Sequence, residues 1–105
     1  MSMKTIMLVC AAGMSTSMLV SKMEKAAEAD GVKTDIFAVS ANEADSYLAS
    51  KPVDVLLLGP QVKFLKKQME SKVADKGIPV EVIDMRDYGM MNGKSVLDRA
   101  LALSE

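Results

Sequence analysis

Four short apolar segments alternate with four stretches of helical periodicity along this 105-residue chain. The apolar segments are residues 5–9, 34–39, 53–58 and 80–84. Strands that alternate with helices over short connections form parallel sheets, with right-handed crossovers and helices on both faces. The sequence therefore predicts an α/β fold with an open four-stranded parallel sheet. Because the chain is no longer than one typical domain, we expect a single domain over residues 1–105.

The distribution of charge among the four apolar segments predicts the order of the strands. Segments 5–9 and 53–58 are almost continuously apolar, which is typical of central strands that are buried on both faces. The other two segments contain Asp35 and Glu81, as edge strands do. The expected order is 2-1-3-4, a Rossmann- or flavodoxin-like arrangement. Its switch point lies between strands one and three, where such sheets bind ligands beyond the carboxyl ends of their strands.

Residues that commonly start or end helices mark the boundaries of the helical stretches. Gly31 and Gly77 follow the first and third stretches, where a left-handed glycine commonly ends a helix. Ser40 and Glu43 have the spacing of a capping box, which predicts a short helix to about Ser50. The third helix is expected to be continuous, and its apolar stripe consists of Val62, Leu65, Met69 and Val73. A turn-rich loop is expected over residues 85–93, before the last helix.

Composition excludes several classes of function. Thirteen Lys and Arg residues nearly balance fourteen Asp and Glu residues, which argues against a dedicated nucleic-acid binder. One cysteine cannot form an internal disulfide or a cysteine-based zinc cluster. Because the chain contains no histidine, it cannot perform Ser-His-Asp or Cys-His catalysis.

The hydropathy pattern predicts the compartment. No apolar segment approaches the roughly 20 residues that cross a bilayer, so we expect no direct insertion into a membrane. The start of the sequence lacks the longer apolar region of a signal peptide. From these two features we expect a cytoplasmic protein whose thiol is reduced.

The segment after the first predicted strand carries the candidate chemistry. It consists of Cys10, Ala11, Ala12, Gly13, Met14, Ser15, Thr16 and Ser17. Small residues and a glycine allow a tight loop whose N–H groups converge, and the amino end of the next helix adds its unpaired amides. Such a loop is a cradle for an anion. A thiol at its mouth is a candidate nucleophile toward phosphorus.

Other interpretations of this segment stay open on the residues alone. A cysteine that ends a buried strand can be a small hydrophobic residue, and the Ser-Thr-Ser run can be a helix cap. Low-molecular-weight cysteine phosphatases share the strand-loop-helix unit but require an Arg separated from the cysteine by five residues, where this chain has Thr16. Redox chemistry of the thioredoxin type would need a second thiol. The chain could thus be a phosphatase-like phosphomonoesterase or a non-enzymatic α/β adaptor.

Residues 10–23 resemble the phosphocysteine loop and first helix of enzyme IIB of the sugar phosphotransferase system, in its lactose/cellobiose/chitobiose family. The string Cys-x-x-Gly-Met-Ser-Thr-Ser points to the cellobiose/chitobiose branch more than to the lactose branch. The resemblance covers essentially the whole chain, and it continues through residues 55–61, 79–84, 88–89 and 93–97.

This resemblance implies a phosphoryl relay. Phosphohistidine on enzyme IIA would donate its phosphoryl group to Cys10. Phosphocysteine would then pass the group to a sugar held by the membrane component, enzyme IIC, such as the β-linked disaccharides cellobiose or chitobiose. The absence of histidine fits, because the donor histidine belongs to the partner. The covalent phosphoryl group requires neither a metal nor a separate cofactor.

Pro60, Gln61 and Tyr88 are further candidates at the rim of the site. Pro60 and Gln61 could contact the phosphoryl group or a partner, although Gly-Pro is equally a turn that starts the third helix. Tyr88 could form a hydrogen bond near the site, or could be a half-buried loop tyrosine.

Both partners must reach the same sulfur, so we expect one shared docking rim around Cys10. The rim is predicted to consist of residues 11–14, 59–61 and 87–91. Its methionines Met14, Met90 and Met91 are expected to face outward, because flexible thioether side chains adapt to different partners.

Overall fold

A computed structural model describes residues 3–10 and 13–104 of the chain. The strands are β1 (Lys4–Cys10), β2 (Thr34–Ser40), β3 (Val55–Leu58) and β4 (Val80–Val82). The helices are α1 (Gly13–Asp30), α2 (Ala44–Ser50), α3 (Lys66–Lys72), α4 (Met85–Gly89) and α5 (Gly93–Leu103). Two 3-10 segments, Pro60–Leu65 and Ala74–Lys76, flank α3.

The four strands form one parallel sheet in the order β2-β1-β3-β4, which confirms the predicted order. Ile6 of β1 pairs with Ile36 on one side and with Val55 on the other. The central strands β1 and β3 are buried almost throughout, whereas Asp35 and Glu81 lie partly exposed on the edge strands. The carboxyl ends of β1 and β3 are therefore adjacent at one edge of the sheet.

Helices cover both faces of this sheet, as predicted. On one face the residues of α1 and α5 pack over Ile6, Leu8 and Leu57 in a buried apolar cluster. On the other face α2, α3 and the 3-10 segment pack over Met7, Val9 and further residues of β3. Burial of large aliphatic side chains on both faces of the central strands holds the sheet between the two helical layers.

The third predicted helix is interrupted, which corrects the expectation of a continuous helix. Pro60–Leu65 is a 3-10 segment, and Val62 has a non-helical conformation with φ −119°. Pro60 provides no N–H and suits the first position of a helical turn, so a separate short segment starts there. The predicted apolar stripe nevertheless faces the core, because Val62, Met69 and Val73 are buried and Leu65 is partly buried.

The predicted loop over residues 85–93 contains the helix α4, so that prediction is wrong for residues 85–89. The carboxylate of Asp84 accepts hydrogen bonds from the N–H groups of Arg86 and Asp87, at 2.8 and 3.3 Å. This side-chain cap satisfies amides that a helix start leaves unpaired. The one-turn helix is thus stabilised by its cap, which hydrophobic periodicity cannot detect over five residues.

The capping box at Ser40 forms only in part. The carboxylate of Glu43 reaches back and accepts hydrogen bonds from the N–H and the hydroxyl of Ser40, at 3.3 and 3.2 Å. The Glu43 N–H, however, donates to the backbone carbonyl of Ser40 at 3.0 Å rather than to its hydroxyl. The helix α2 therefore begins one turn later than a full capping box would place it, at Ala44.

An ion pair connects α5 to the edge strand β4. Arg99 donates from Nε and Nη2 to the two carboxylate oxygens of Glu81, at 2.5 and 2.7 Å. These hydrogen bonds hold the pKa of Glu81 below its ordinary value, against the opposing effect of burial. A depressed pKa in the folded state means that the pair stabilises the fold above the ordinary carboxyl pKa. That contribution is lost as pH falls through the lower folded pKa.

We therefore expect Glu81→Gln to lower Tm at pH 7 and to have less effect at an acid pH below the depressed pKa of Glu81, where the wild-type carboxyl is also protonated. Thermal unfolding followed by circular dichroism at the two pH values tests this. Glu70→Gln is the matched control, because Glu70 is exposed on α3 and has no ion pair within the described residues. An equal loss of Tm at both pH values would contradict the expectation.

Candidate functional site

Cys10 is the last residue of β1, and its side chain is 1% exposed. Alternation along the strand places it on the same face as Ile6 and Leu8, the face that α1 covers. The helix α1 begins at Gly13, only three residues later. The thiol therefore lies at the switch point between β1 and β3, where the sequence predicts it.

The helix α1 begins inside the segment that was predicted to be a loop. Residues 13–17 belong to α1, so the expectation of a loop that extends to Ser17 is wrong. Ala11 and Ala12 lie outside the described residues, as do the side chains of Met14, Ser15 and Thr16. Ser17 is exposed on α1.

Because α1 begins at Gly13, the candidate anion-binding N–H groups belong to a helix end and not to a loop. The first four N–H groups of an α-helix have no partner within the helix, and the amino end carries the positive end of the helix dipole. In α1 these amides belong to the residues that begin with Gly13, at the end of the helix nearest Cys10 in the chain. The local backbone thus suits an anion next to the sulfur.

Gly59 brings the carboxyl end of β3 against Cys10. Its N–H donates to the carbonyl of Val9 at 2.9 Å. A Cβ built on Gly59 would lie 3.5 Å from the Cβ of Cys10 and 2.8 Å from Oε1 of Gln61. Gln61 and Cys10 therefore both lie close to Gly59, and a contact of Gln61 with the phosphoryl group or a partner stays a prediction. Pro60 occupies the first position of the 3-10 segment, which confirms the turn interpretation of Gly-Pro.

Tyr88 is a core residue on a helix, not a half-buried loop residue. Its side chain is 8% exposed and belongs to the cluster that includes Leu19, Val96 and Leu97. Because α4 follows β4, the ring enters this cluster from the edge of the sheet at which β1 and β3 end. The alternative of a half-buried loop tyrosine is wrong, and a hydrogen bond of Tyr88 near the site stays a prediction.

The predicted methionine rim is only partly present. Met90 is 71% exposed, as expected. Met91 is partly buried and packs against the cluster below α5, with φ 53° in the turn between α4 and α5. The expectation that Met91 faces outward is therefore wrong, since the turn directs its side chain inward.

Two exposed apolar residues at this edge were not predicted. Phe64 follows β3 and is 75% exposed, and Met85 opens α4 and is 69% exposed. Phe64 could have been found from the sequence, because it is the apolar residue of its segment that lies off the buried stripe of Val62, Leu65 and Met69. Phe64 and, with Met90, Met85 lie on segments that follow the carboxyl ends of β3 and β4, and we call this set of exposed apolar residues the Phe64/Met85/Met90 rim.

A groove of about 330 Å³ lies elsewhere, between β4 and α5. Its lining residues are Leu57, Glu81, Val82, Ile83, Asp84, Asp87, Val96 and Arg99. Glu81 and Arg99 neutralise each other there, and Asp84 caps α4. The groove contains neither Cys10 nor Gln61 among its lining residues, so we place the candidate chemistry at the end of β1 and not at this groove.

Within residues 3–10 and 13–104, no three His, Cys, Asp or Glu side chains are grouped as metal ligands. In the same part of the chain, no helix has the length and apolar character to span a bilayer.

Residues 5–99 match the protein family described as "PTS system, Lactose/Cellobiose specific IIB subunit". The chain is 53% identical to a galactose-specific EIIB component and 53% identical to a cellobiose-specific EIIB component, both of Lactococcus lactis. Each alignment covers 95% of both proteins. An oligo-beta-mannoside-specific EIIB component of Bacillus subtilis is 43% identical over 96% of both chains.

Solved structures give the same fold. The solution structure of a cellobiose-specific phosphotransferase IIB component from Borrelia burgdorferi is 42% identical and superposes with a TM-score of 0.77, over 97% of this chain and 92% of that one. A lactose-specific IIB domain from Streptococcus pneumoniae has a TM-score of 0.87 at 15% identity, covering 99% and 100% of the two chains. At that identity the likeness concerns the fold alone.

Proposed function

The chain belongs to the lactose/cellobiose-specific IIB family of the sugar phosphotransferase system, and we propose that Cys10 is the residue that carries its phosphoryl group. As a member of this family, the chain is a phosphotransferase component of a sugar uptake system. The observation that carries the assignment to Cys10 is the position of the chain's one thiol, at the end of β1, beside Gly59 and just before the amino end of α1.

In the first step the sulfur of Cys10 attacks the phosphorus of a phosphohistidine on enzyme IIA. The P–S bond forms as the P–N bond breaks, and the thiol proton balances the proton that the leaving imidazole nitrogen takes up. The first-turn amides of α1, with residues 11–17 as the binding segment, hold the phosphoryl oxygens. This chain has no histidine, so the donor imidazole comes from the partner.

In the second step a sugar hydroxyl attacks the phosphorus of phosphocysteine. The O–P bond forms, the P–S bond breaks, and the hydroxyl proton returns to sulfur. We propose a β-linked disaccharide such as cellobiose or chitobiose, held by the membrane component enzyme IIC. Relatives named for galactose and for cellobiose are equally identical to this chain, so overall identity does not identify the sugar.

Enzyme IIA and enzyme IIC must each cover Cys10 in turn. The Phe64/Met85/Met90 rim offers exposed apolar surface at this edge of the sheet, and Pro60, Gln61 and Tyr88 are proposed to complete the surroundings of the sulfur. A small interface that uses one shared patch suits a transient contact with two partners. We place the reaction in the cytoplasm, because the phosphoryl groups of this system derive from phosphoenolpyruvate there.

Reconstitution tests the proposed function. The protein is incubated with phosphoenolpyruvate, enzyme I, the phosphocarrier protein and the matching enzyme IIA, and intact mass is measured. One added phosphoryl group, mapped to Cys10, is the expected result, and omission of enzyme IIA should abolish it. A protein that stays unmodified with an active enzyme IIA would overturn the proposal.

We expect negligible phosphatase activity from the purified protein. Thr16 occupies the position at which the low-molecular-weight phosphatases keep Arg, and one well-placed charge-stabilising donor contributes about 3–4 kcal/mol to such a transition state. The missing guanidinium also suits a carrier, which must hold the phosphoryl group without transfer to water. Hydrolysis of an aryl phosphate is followed by absorbance, with a low-molecular-weight phosphatase as positive control. Turnover at the rate of that control would favour the phosphomonoesterase instead.

A further inference from the structure

We propose that the side-chain amide of Gln61 binds the phosphoryl group on Cys10, and that residue 59 is glycine because the space of its missing side chain holds this amide. The inference rests on the proposed role of Cys10 and extends it to a side chain from the second strand of the switch point. It assigns Gln61 a contact with the reacting group, not only a place on the rim.

Gly59, Gln61 and Cys10 all border one small space. The position that a Cβ of Gly59 would take is 2.8 Å from Oε1 of Gln61 and 3.5 Å from the Cβ of Cys10. The carboxamide of Gln61 and the side chain of Cys10 therefore both border this methyl-sized space. The hydrogen bond from the Gly59 N–H to the Val9 carbonyl, at 2.9 Å, fixes this approach.

The carboxamide is available for a ligand. Gln61 is exposed overall, and it has no hydrogen-bond partner in the described part of the chain. Its Nε2 carries two donors, and rotation of the terminal amide can turn them toward a group on sulfur. A donor from the β3 side would oppose the amides of α1, so that the phosphoryl oxygens would be held from two directions.

Gly59 also provides a substitution that displaces the amide without removing it. A Cβ at residue 59 overlaps only with the flexible end of Gln61, while its contacts with Cys10 and with the Val9 carbonyl, at 3.5 and 3.6 Å, are ordinary. We therefore expect Gly59→Ala to fold normally and to push the carboxamide away from Cys10.

The experiment measures the rate of transfer from phosphorylated enzyme IIA, by quenched-flow and intact mass, and the half-life of phosphocysteine. Gln61→Ala should slow transfer about 10- to 100-fold, the range expected for one hydrogen bond to a charged group. Gln61→Glu should be slower still, because it places a carboxylate beside a phosphoryl dianion. Gln68→Ala is the control, since Gln68 is exposed on α3 and its loss should leave the rate unchanged.

Two further results separate binding from a structural effect. Gly59→Ala should slow transfer as much as Gln61→Ala does, and the double variant should be no slower than either, because both remove the same contact. The side-chain amide resonance of Gln61 should shift on phosphorylation of the wild-type protein, and that of Gln68 should not.

The failures of the two proposals are distinguishable. A wild-type protein that is labelled at Cys10, with Gln61→Ala as fast as Gln68→Ala and an unmoved Gln61 resonance, would overturn the role of Gln61 and leave that of Cys10 intact. A wild-type protein that is not labelled by active enzyme IIA would overturn both.

Discussion

Cys10→Ser should abolish phosphoryl transfer to this protein while leaving its fold intact. A serine hydroxyl is a far weaker nucleophile than a thiol unless a general base activates it, and the chain has no histidine to do so. The side chain is 1% exposed at the end of β1, and oxygen is smaller than sulfur, so the substitution fits the site. We expect transfer to fall more than about 1,000-fold, measured as radiolabel incorporated from phosphorylated enzyme IIA.

The fold of the variant provides the control for this result. Circular dichroism and Tm should be close to wild type, because the change removes little volume and leaves the pairing of β1 with β2 and β3 unaffected. Cys10→Ala should behave like Cys10→Ser in both assays. A folded serine variant that takes up label as fast as wild type would show that another residue carries the phosphoryl group.

The strand order could be predicted from the sequence because burial and charge report directly on position within a sheet. Central strands tolerate almost no charge: β1 and β3 contain no carboxylate, whereas the edge strands β2 and β4 contain Asp35 and Glu81. Right-handed crossovers then left one switch point. The location of Cys10 followed from these two rules together, without any knowledge of side-chain contacts.

The boundaries of the helices could not be predicted as well, because they depend on individual hydrogen bonds. The short helix α4 depends on the cap that Asp84 provides, and the interruption at Val62 depends on a backbone turn after Pro60. Both features span about one turn, which is too short for apolar periodicity to identify.

The contact between Gln61 and Gly59 lies beyond what sequence patterns can specify. Position after β3 predicted that Gln61 lies near the site, yet only the fold shows that Oε1 of its amide lies within 2.8 Å of the place that a Cβ on Gly59 would take. Met91 illustrates the opposite case, since its place in a predicted loop suggested exposure, whereas the turn places its side chain against the core.

Gly93 has a structural role that cannot be recognised from the Asn-Gly pair to which it belongs. Such a pair predicts a turn, but Gly93 is the first residue of α5 and is buried. A Cβ built on it would lie 2.5 Å from the backbone carbonyl carbon of Lys22 and 2.6 Å from the backbone nitrogen of Met23. These are backbone atoms in the middle of α1, which no side-chain rotation can move aside. Glycine is therefore what permits the start of α5 to pack directly on α1.

Gly93→Ala should consequently destabilise the protein by about 3 kcal/mol or more, the upper range for overpacking, and should lower Tm by more than about 10 °C. Thermal and urea unfolding measure the loss. Gly89→Ala is the matched control, since a Cβ there meets nothing within 4 Å and alanine favours a helix by up to about 1 kcal/mol. Because α1 begins next to Cys10, the displaced helix in Gly93→Ala should also slow phosphoryl transfer. Equal stability of the two alanine variants would show that α1 and α5 are not in close backbone contact.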